Sequence, residues 1–516
     1  MNPTQTVLSE LLREQARRDP DGAYARFNGA PVTYTALDRQ SAALAARLRD
    51  EGLERGAHVA VMMRNSAAAL AVIFALAKAG LVWVPVNAQQ RGEGLRYQLE
   101  HSRPAFVIAD ADFEPSIAEA LDGRAVPSLW HADDAKGTLQ DALSGPASFE
   151  EPAPSLDDRF AIMYTSGTTG RPKGAIVTHR MLLLASHAVG LVSAGRPGDV
   201  FFVWEALYHI GGAQLLPLPM THGIRLAMVD RFSASQFWTQ ARAEGATHIH
   251  HLGGILQLLL KQPPSELDRT HGVRVAWGGG CPPDIWTQFQ DRFGVHVREC
   301  YGMTEASSIT TYNDTGLVGS VGKPVPWFTV DLLDAAGQPV ATGERGEIVV
   351  RTSLPGAIFP GYFDNPEATA RALRDGALFT GDLGSLDAGG DMFFHGRMTD
   401  SVRCRGENVS AWEVEHVAAS HPDVEDCAMV GVPSDIGEQD IKLFLKLKPG
   451  RRASEEALSA WLGARLAPYQ NPRYLALVPD FERTASQRIM KGKLSTRLDD
   501  CFDRLAKSRA VGRAAS

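Results

Sequence analysis

Tyr164-Thr-Ser-Gly-Thr-Thr-Gly-Arg-Pro-Lys-Gly174 gathers hydroxyls, glycines and a lysine into one short stretch behind an apolar run. Gly167 and Gly170 let a backbone approach an anion and turn successive N–H groups toward it. Thr165, Ser166, Thr168 and Thr169 add hydroxyl donors, and Lys173 adds positive charge. Residues of these types suit the phosphates of a nucleotide. The spacing is not Gly-x-x-x-x-Gly-Lys-Ser/Thr, so the ordinary nucleotide P-loop is excluded. A flexible Gly/Ser/Thr loop is the plain alternative, and the ordered run ending in a lysine speaks against it.

Further motifs follow along the chain: Tyr301-Gly-Met-Thr-Glu-Ala306, Thr380-Gly-Asp-Leu-Gly384, then Gly396-Arg-Met-Thr-Asp400 leading into Gly406-Glu-Asn-Val409. In this order they resemble the signature set of the adenylate-forming superfamily: acyl-CoA synthetases, adenylation domains of peptide synthetases, and luciferases. The resemblance covers almost the whole chain. Its strength lies in the ordered set, since each motif alone is weak.

The resemblance implies an ATP-dependent acid–CoA ligase using Mg²⁺. The acid joins AMP with release of pyrophosphate, and the acyl group then passes to the thiol of CoA. A carboxylate resists nucleophiles through its charge and resonance, and the mixed anhydride with AMP supplies a good leaving group. Two anions must meet first, so catalysis is mostly positioning and charge stabilisation. Carried over by residue, the resemblance assigns the stretch from Thr165 to Lys173 to the β- and γ-phosphates. Glu305, with Thr165, is assigned to Mg²⁺, which prefers hard oxygen ligands. Tyr301 stacks on adenine beside Gly280, Cys281 and Pro282, and Gly302 and Met303 continue that wall. Thr304 donates to the α-phosphate, Asp382 accepts from the ribose hydroxyls, and Arg397 contacts the ribose or the phosphate.

The acyl pocket is assigned to Trp204, Tyr208, His209, Gly211, Gly278 and Met303, with His209 as gate and a satisfied core histidine as its alternative. Asp400 matches the hinge of a rotating C-terminal domain, and Gly406 the passage of pantetheine. No Leu-Gly-Gly-x-Ser attachment site occurs, which favours free CoA over a fused carrier. One position departs from the pattern. Arg483-Thr-Ala-Ser-Gln-Arg-Ile-Met-Lys-Gly-Lys493 puts Arg488 where the superfamily has its adenylation lysine. A planar guanidinium does not place charge as an ammonium does. Arg488 is the first candidate for that role and Lys491 the second. Adenylation for a separate carrier protein, and a catalytically weakened nucleotide- or acyl-CoA-binding homologue, stay open as alternatives.

Within the superfamily, Lys261-Gln-Pro-Pro264, Gly278–Pro282 and Asp284-Ile-Trp286 resemble the carnitine/crotonobetaine-CoA ligase group. A quaternary ammonium acid would want an aromatic cage or a counter-charge. Trp204, Tyr208, Trp277 and Glu205 are near in sequence; the same residues also suit a fatty or aryl acid pocket.

To bring these residues together, loops must leave a rigid scaffold. Short β-rich runs at His58–Met63, Val82–Val86, Ala105–Ala109, Phe160–Tyr164 and Val273–Ala276 alternate with helical stretches such as Thr35–Asp50 and Phe232–Glu244. That alternation predicts layered α/β architecture with largely parallel sheets. Thr35 reads as the first helix's N-cap. The apolar run Ala67–Ala77, broken by Lys78, falls well short of the roughly 20 residues that cross a bilayer and reads as a buried helix. Beyond residue 320, alternating runs at Thr329–Leu333 and Glu347–Arg351 predict a small β subdomain. Ile441, Leu443, Leu445 and Leu447 alternate with Lys442, Phe444, Lys446 and Lys448, the period of a half-exposed strand. Ser454 before Glu455 and Glu456 marks a helix start. The expected organisation is a large adenylation domain over 1–399 and a small mobile α+β lid over 400–516.

At 516 residues the chain exceeds one ordinary core, and 44% hydrophobic with 22% charged residues is a soluble globular balance. A net charge of −8 without a long basic run argues against nucleic acid. Five cysteines without pairing or metal-ligand spacing, and an N-terminus lacking an apolar signal core, suit a reducing cytoplasm. No motif speaks to oligomeric state, and a homodimer stays open.

Overall fold

The apolar runs become two sheets rich in parallel pairs. The computed structural model describes residues 6–132, 137–147, 149–165, 172–252, 254–398, 401–404, 407–434, 439–466, 470–483 and 489–506. His58–Met62, Val82–Pro85, Phe106–Asp110 and Arg159–Thr165 belong to a six-stranded sheet closed at one edge by Lys173–Thr178. A nine-stranded sheet sets His296–Tyr301, Val275–Gly279, His248–Leu252, Val200–Val203 and Arg225–Met228 side by side, all parallel. Parallel neighbours end along the same edge, where crevices for ligands form in open α/β sheets. The loops that leave this edge begin with Gly302, Gly280 and Trp204, each inside or beside a motif read from the sequence.

Local sequence explains the elements. Helix Pro283–Phe293 starts on two prolines, whose fixed φ suits a first turn, and stops at Gly294 with φ 70°. Its Trp286, Phe289 and Phe293, at i, i+3 and i+7, pack with Phe202, Phe237 and Val297 into one apolar core. Ala67–Ala79 is a buried helix, as its composition predicts, capped by Ser66 and ended by Gly80. Its Lys78 is buried against the carboxylate of Asp38.

Three element readings need correction. The helix over Tyr34–Asp50 is capped by Thr33, whose hydroxyl accepts the Ala36 amide at 3.2 Å, and exposed Thr35 lies inside it. The helix expected over Phe232–Glu244 is only Phe237–Ala243, because a turn from Ser233 to Gln236 comes first and Phe232 packs on Trp204. The strand expected at Val273–Ala276 is Val275–Gly279, so it runs into Gly278 and Gly279. The strands beyond residue 320 form at Phe328–Leu333 and Gly346–Thr352. Among the described residues no helix is long and apolar enough to cross a membrane.

The chain divides into two compact units. Of the described residues, one unit holds those up to Val330 together with Val349–Phe379, and the other holds Asp331–Ile348 and those from Thr380 onward. The second unit contains a four-stranded sheet in the order Val424–Pro433, Gln439–Leu447, Tyr474–Leu477, Phe502–Asp503. Its helix Glu455–Gly463 starts at Ser454, which accepts the Ala457 amide as a cap. Gln439–Leu447 is not half-exposed. Ile441, Leu443 and Leu445 pack on one face and Phe444 on the other. Lys442 is 0% exposed, its ammonium 2.6 Å from Asp500 and bonded to the Arg497 carbonyl.

The cap assignment has a direct test. Thr33→Ala lowers stability by about 1 kcal/mol, whereas Thr35→Ala stays within about 0.5 kcal/mol of wild type, read as thermal-midpoint shifts.

Candidate active site

Strand Arg159–Thr165 and strand Lys173–Thr178 pair antiparallel, with Thr165 opposite Lys173. Ser166, Gly167, Thr168, Thr169 and Gly170 lie outside the described residues. Lys173 holds its ammonium 4.6 Å from the centre of the Tyr362 ring. The Tyr362 hydroxyl donates to Glu305 Oε1 at 2.7 Å. Glu305 is 4% exposed and sits in the one-turn helix Thr304–Ala306. Its carbonyl accepts the Phe359 amide, so the segment around Phe359-Pro-Gly-Tyr-Phe363 lies along the turn. A half-buried cation, a buried aromatic ring and a buried carboxylate thus form one contact series. Tyr362 was not among the expected residues; the aromatic run flanking Gly361 was its only signal.

Tyr301 ends strand His296–Tyr301 as a buried side chain, and the chain turns sharply behind it. At Gly302 a Cβ would lie 1.9 Å from the Ser308 carbonyl oxygen, so only glycine fits. Thr304 is buried beside Glu305, while Met303 is partly exposed. Gly280, with φ 88°, opens the turn that continues through Cys281 and Pro282. Glu299, unforeseen from sequence, accepts the amides of both Gly280 and Cys281, the latter at 3.0 Å. Burial, then the nearby Glu299, pushes the Cys281 thiol far up, which makes it a wall and not a nucleophile. Burial pushes Glu299 up to about 8 despite the two amides, and pushes His251 down to about 3.

In the segment Trp204–Gln214, Asn65 donates to the Glu205 carbonyl at 2.7 Å and accepts the Leu207 amide at 3.0 Å, clipping down its start. Trp204 donates from its indole to the His250 carbonyl at 3.1 Å. Tyr208 and His209 meet edge to face with ring centres 4.7 Å apart, and His209 precedes the short helix Ile210–Ala213. At Gly212 a Cβ would stand 2.4 Å from the Ala206 carbonyl oxygen, whereas Gly211 has ordinary room beside His250. Glu205 is buried and bonded to the His250 ring, and Trp277, 1% exposed, packs on that same ring.

In the second unit, Asp382 is 3% exposed and opposes Arg397 across a hairpin, with Arg397 Nε 3.2 Å from Asp382 Oδ1. Lys491 lies 2.9 Å from Glu415. Arg488, Asp400 and Gly406 lie outside the described residues. Among the described residues no group of three or more His, Cys, Asp or Glu could cage a metal. The oxygen donors Glu305 and Thr165 fit Mg²⁺, which is commonly held by one or two carboxylates together with substrate phosphates and water.

A family model described as AMP-binding enzyme matches residues 12–363, and its C-terminal domain counterpart matches residues 413–488. The chain belongs to the AMP-binding enzyme family. This AMP-binding enzyme is 31% identical over 488 residues to a crotonobetaine/carnitine–CoA ligase of Salmonella paratyphi A, covering 90% of this chain and 92% of that protein. It is 32% identical over 500 residues to a sulfoacetate–CoA ligase of Cupriavidus necator, covering 95% and 97%. The crystal structure of ATP-bound MatB from Rhodopseudomonas palustris matches with TM-score 0.84 and 27% identity over 94% of this chain and 97% of that one. The AMP-binding enzyme is an AMP-forming acid–CoA ligase that works with ATP, Mg²⁺ and CoA.

Two outcomes follow for this site. Tyr362→Phe removes the donor to Glu305 and lowers kcat/KM for adenylation about tenfold, about 1.4 kcal/mol, in pyrophosphate-release assays. The second concerns pH. Folded Glu299 keeps a proton between its ordinary value of 4.5 and about 8, so its stabilising contribution, complete below 4.5, is lost as pH rises to about 8. His251 acts oppositely, and only between about 3 and 6.5. From pH 6.5 to 8, Glu299→Gln therefore flattens the fall in thermal midpoint relative to wild type.

Proposed function

We propose that this ligase activates a short or medium carboxylic acid, and that its adenylation centre is built on Lys173, Tyr362 and Glu305. The observation that carries this is the Tyr362 side chain touching both the ammonium and the carboxylate. Lys173 and the hydroxyl-rich stretch before it draw the β- and γ-phosphates into place. Thr304 donates to the α-phosphate as the acid oxygen attacks, and Tyr301 with Gly280, Cys281 and Pro282 packs against the base. Mg²⁺, when bound at Glu305, supplies positive charge that offsets the phosphate oxygens. Asp382 and Arg397 receive the ribose. His209 gates the acyl channel, and Gly211 leaves room beyond it.

For the thioester step, Asp400 is the hinge and Gly406 the passage for pantetheine. Arg488 takes the part of the adenylation lysine, with Lys491 in reserve; the ion pair of Lys491 with Glu415 favours Arg488, because a paired ammonium must first be released. Two curated relatives act on short acids that bear a fixed charge, by their names. Glu205 Oε1 is bonded to His250, and its buried Oε2 has no hydrogen-bond partner among the described residues, which leaves a carboxylate oxygen to answer a cationic acyl group.

ATP–pyrophosphate exchange across a panel including acetate, butyrate, benzoate, sulfoacetate, carnitine and crotonobetaine tests the reading, with thioester formation followed on free CoA. At least one acid stimulates exchange, and Lys173→Ala and Glu305→Gln each reduce it by about a hundredfold or more. Exchange unchanged in both variants overturns the assignment. Exchange without a CoA product would turn the conclusion toward a separate carrier protein.

A further inference from the structure

His251, Gly278 and Glu299 form one row across three neighbouring parallel strands, with His251 opposite Gly278 and Gly278 opposite Glu299. Strands two apart in a sheet lie about 9.5 Å from each other, so a side chain on the middle strand normally separates its flanking partners. Gly278 has none. His251 Nε2 accordingly stands 3.8 Å from Glu299 Oε2. The gap is obligatory, because a Cβ on Gly278 would come within 1.8 Å of the His251 carbonyl oxygen.

Both side chains are deeply buried, and Glu299 Oε2 has no hydrogen-bond partner among the described residues. Replacing a buried ionisable pair by apolar groups is often neutral or stabilising, so stability alone does not account for it. The other oxygen has a defined task. Glu299 Oε1 accepts the amides of Gly280 and Cys281, two consecutive donors of the turn that follows the strand. Gly280 occupies the left-handed region, and both of these turn amides are satisfied by that one carboxylate oxygen.

We infer that Glu299 is a positioning residue for the nucleotide: backed by His251, its carboxyl group fixes the turn Gly280–Pro282 against which the base packs. It governs affinity for the base, not chemistry at the α-phosphate. This rests on the reading of Gly280–Pro282 as the base-lining turn.

The full-length enzyme and its Glu299→Ala, Glu299→Gln and Glu299→Asp variants are compared by calorimetry with ATP and with inorganic tripolyphosphate, which has the phosphates without the base. Glu299→Ala weakens ATP about tenfold, in Kd and in KM, while kcat and tripolyphosphate affinity stay within about twofold. Glu299→Gln keeps an acceptor oxygen and returns ATP affinity to within about threefold of wild type. Glu299→Asp, too short to reach both amides, behaves like the alanine variant and decides the matter if that variant does not fold. Equal weakening of ATP and tripolyphosphate, or unchanged ATP affinity in the folded alanine or aspartate variant, overturns the inference. Wild-type enzyme binding tripolyphosphate but showing no preference for ATP would instead sink the base-lining reading itself.

Discussion

A carboxylate taken almost out of water needs partners, and Glu305 finds one in a tyrosine hydroxyl whose ring also faces an ammonium. Much of the rest of the first unit serves to hold that arrangement. The one-turn helix at Thr304–Ala306 sets the carboxylate at the end of a parallel strand, and the strand beginning at Lys173 brings the cation from the other sheet. The Phe359–Phe363 segment bonds to the Glu305 carbonyl and bridges Ala175, so the tyrosine is fixed by backbone at both neighbours. Charges held in this way need not reorganise as an anionic transition state forms, which is where such sites gain most of their effect.

The parallel sheet explains why residues far apart in the chain share one edge. Val200–Val203, Val275–Gly279 and His296–Tyr301 all point the same way, and each hands over to a loop that carries candidate side chains. Bulky packing of Trp286, Phe289 and Phe293 behind these strands makes the edge stiff, while the glycines after it make the loops close-fitting. Stiffness behind and tight turns in front are the conditions for positioning two anions against each other.

What could be read beforehand was local. The Tyr301 and Asp382 motifs announce themselves by residue type within a few positions, and the buried Ala67–Ala79 helix follows from composition. Thr33 was overlooked in favour of Thr35 because both are hydroxyl residues at a helix start, and only backbone geometry decides which one caps. Lys442 looked exposed because alternation assumes one wet face, yet its strand lies between two others and is covered on both sides. Glu299 and His251 were invisible for a different reason. Their proximity arises from strand register across residues 251, 278 and 299, and no spacing rule along the chain encodes that. Tyr362 likewise meets Glu305 through tertiary folding alone.

Lys442 has an implication for the far end of the second unit. An ammonium with no exposed surface is answered there by a backbone carbonyl and a carboxylate from Arg497 and Asp500, residues that otherwise look like a polar surface tail. That tail is therefore structural ballast for the sheet's interior. Trimming the protein before Arg497, or fusing a partner there under tension, would strand a positive charge in an apolar layer and unsettle strands that lie far upstream in the sequence.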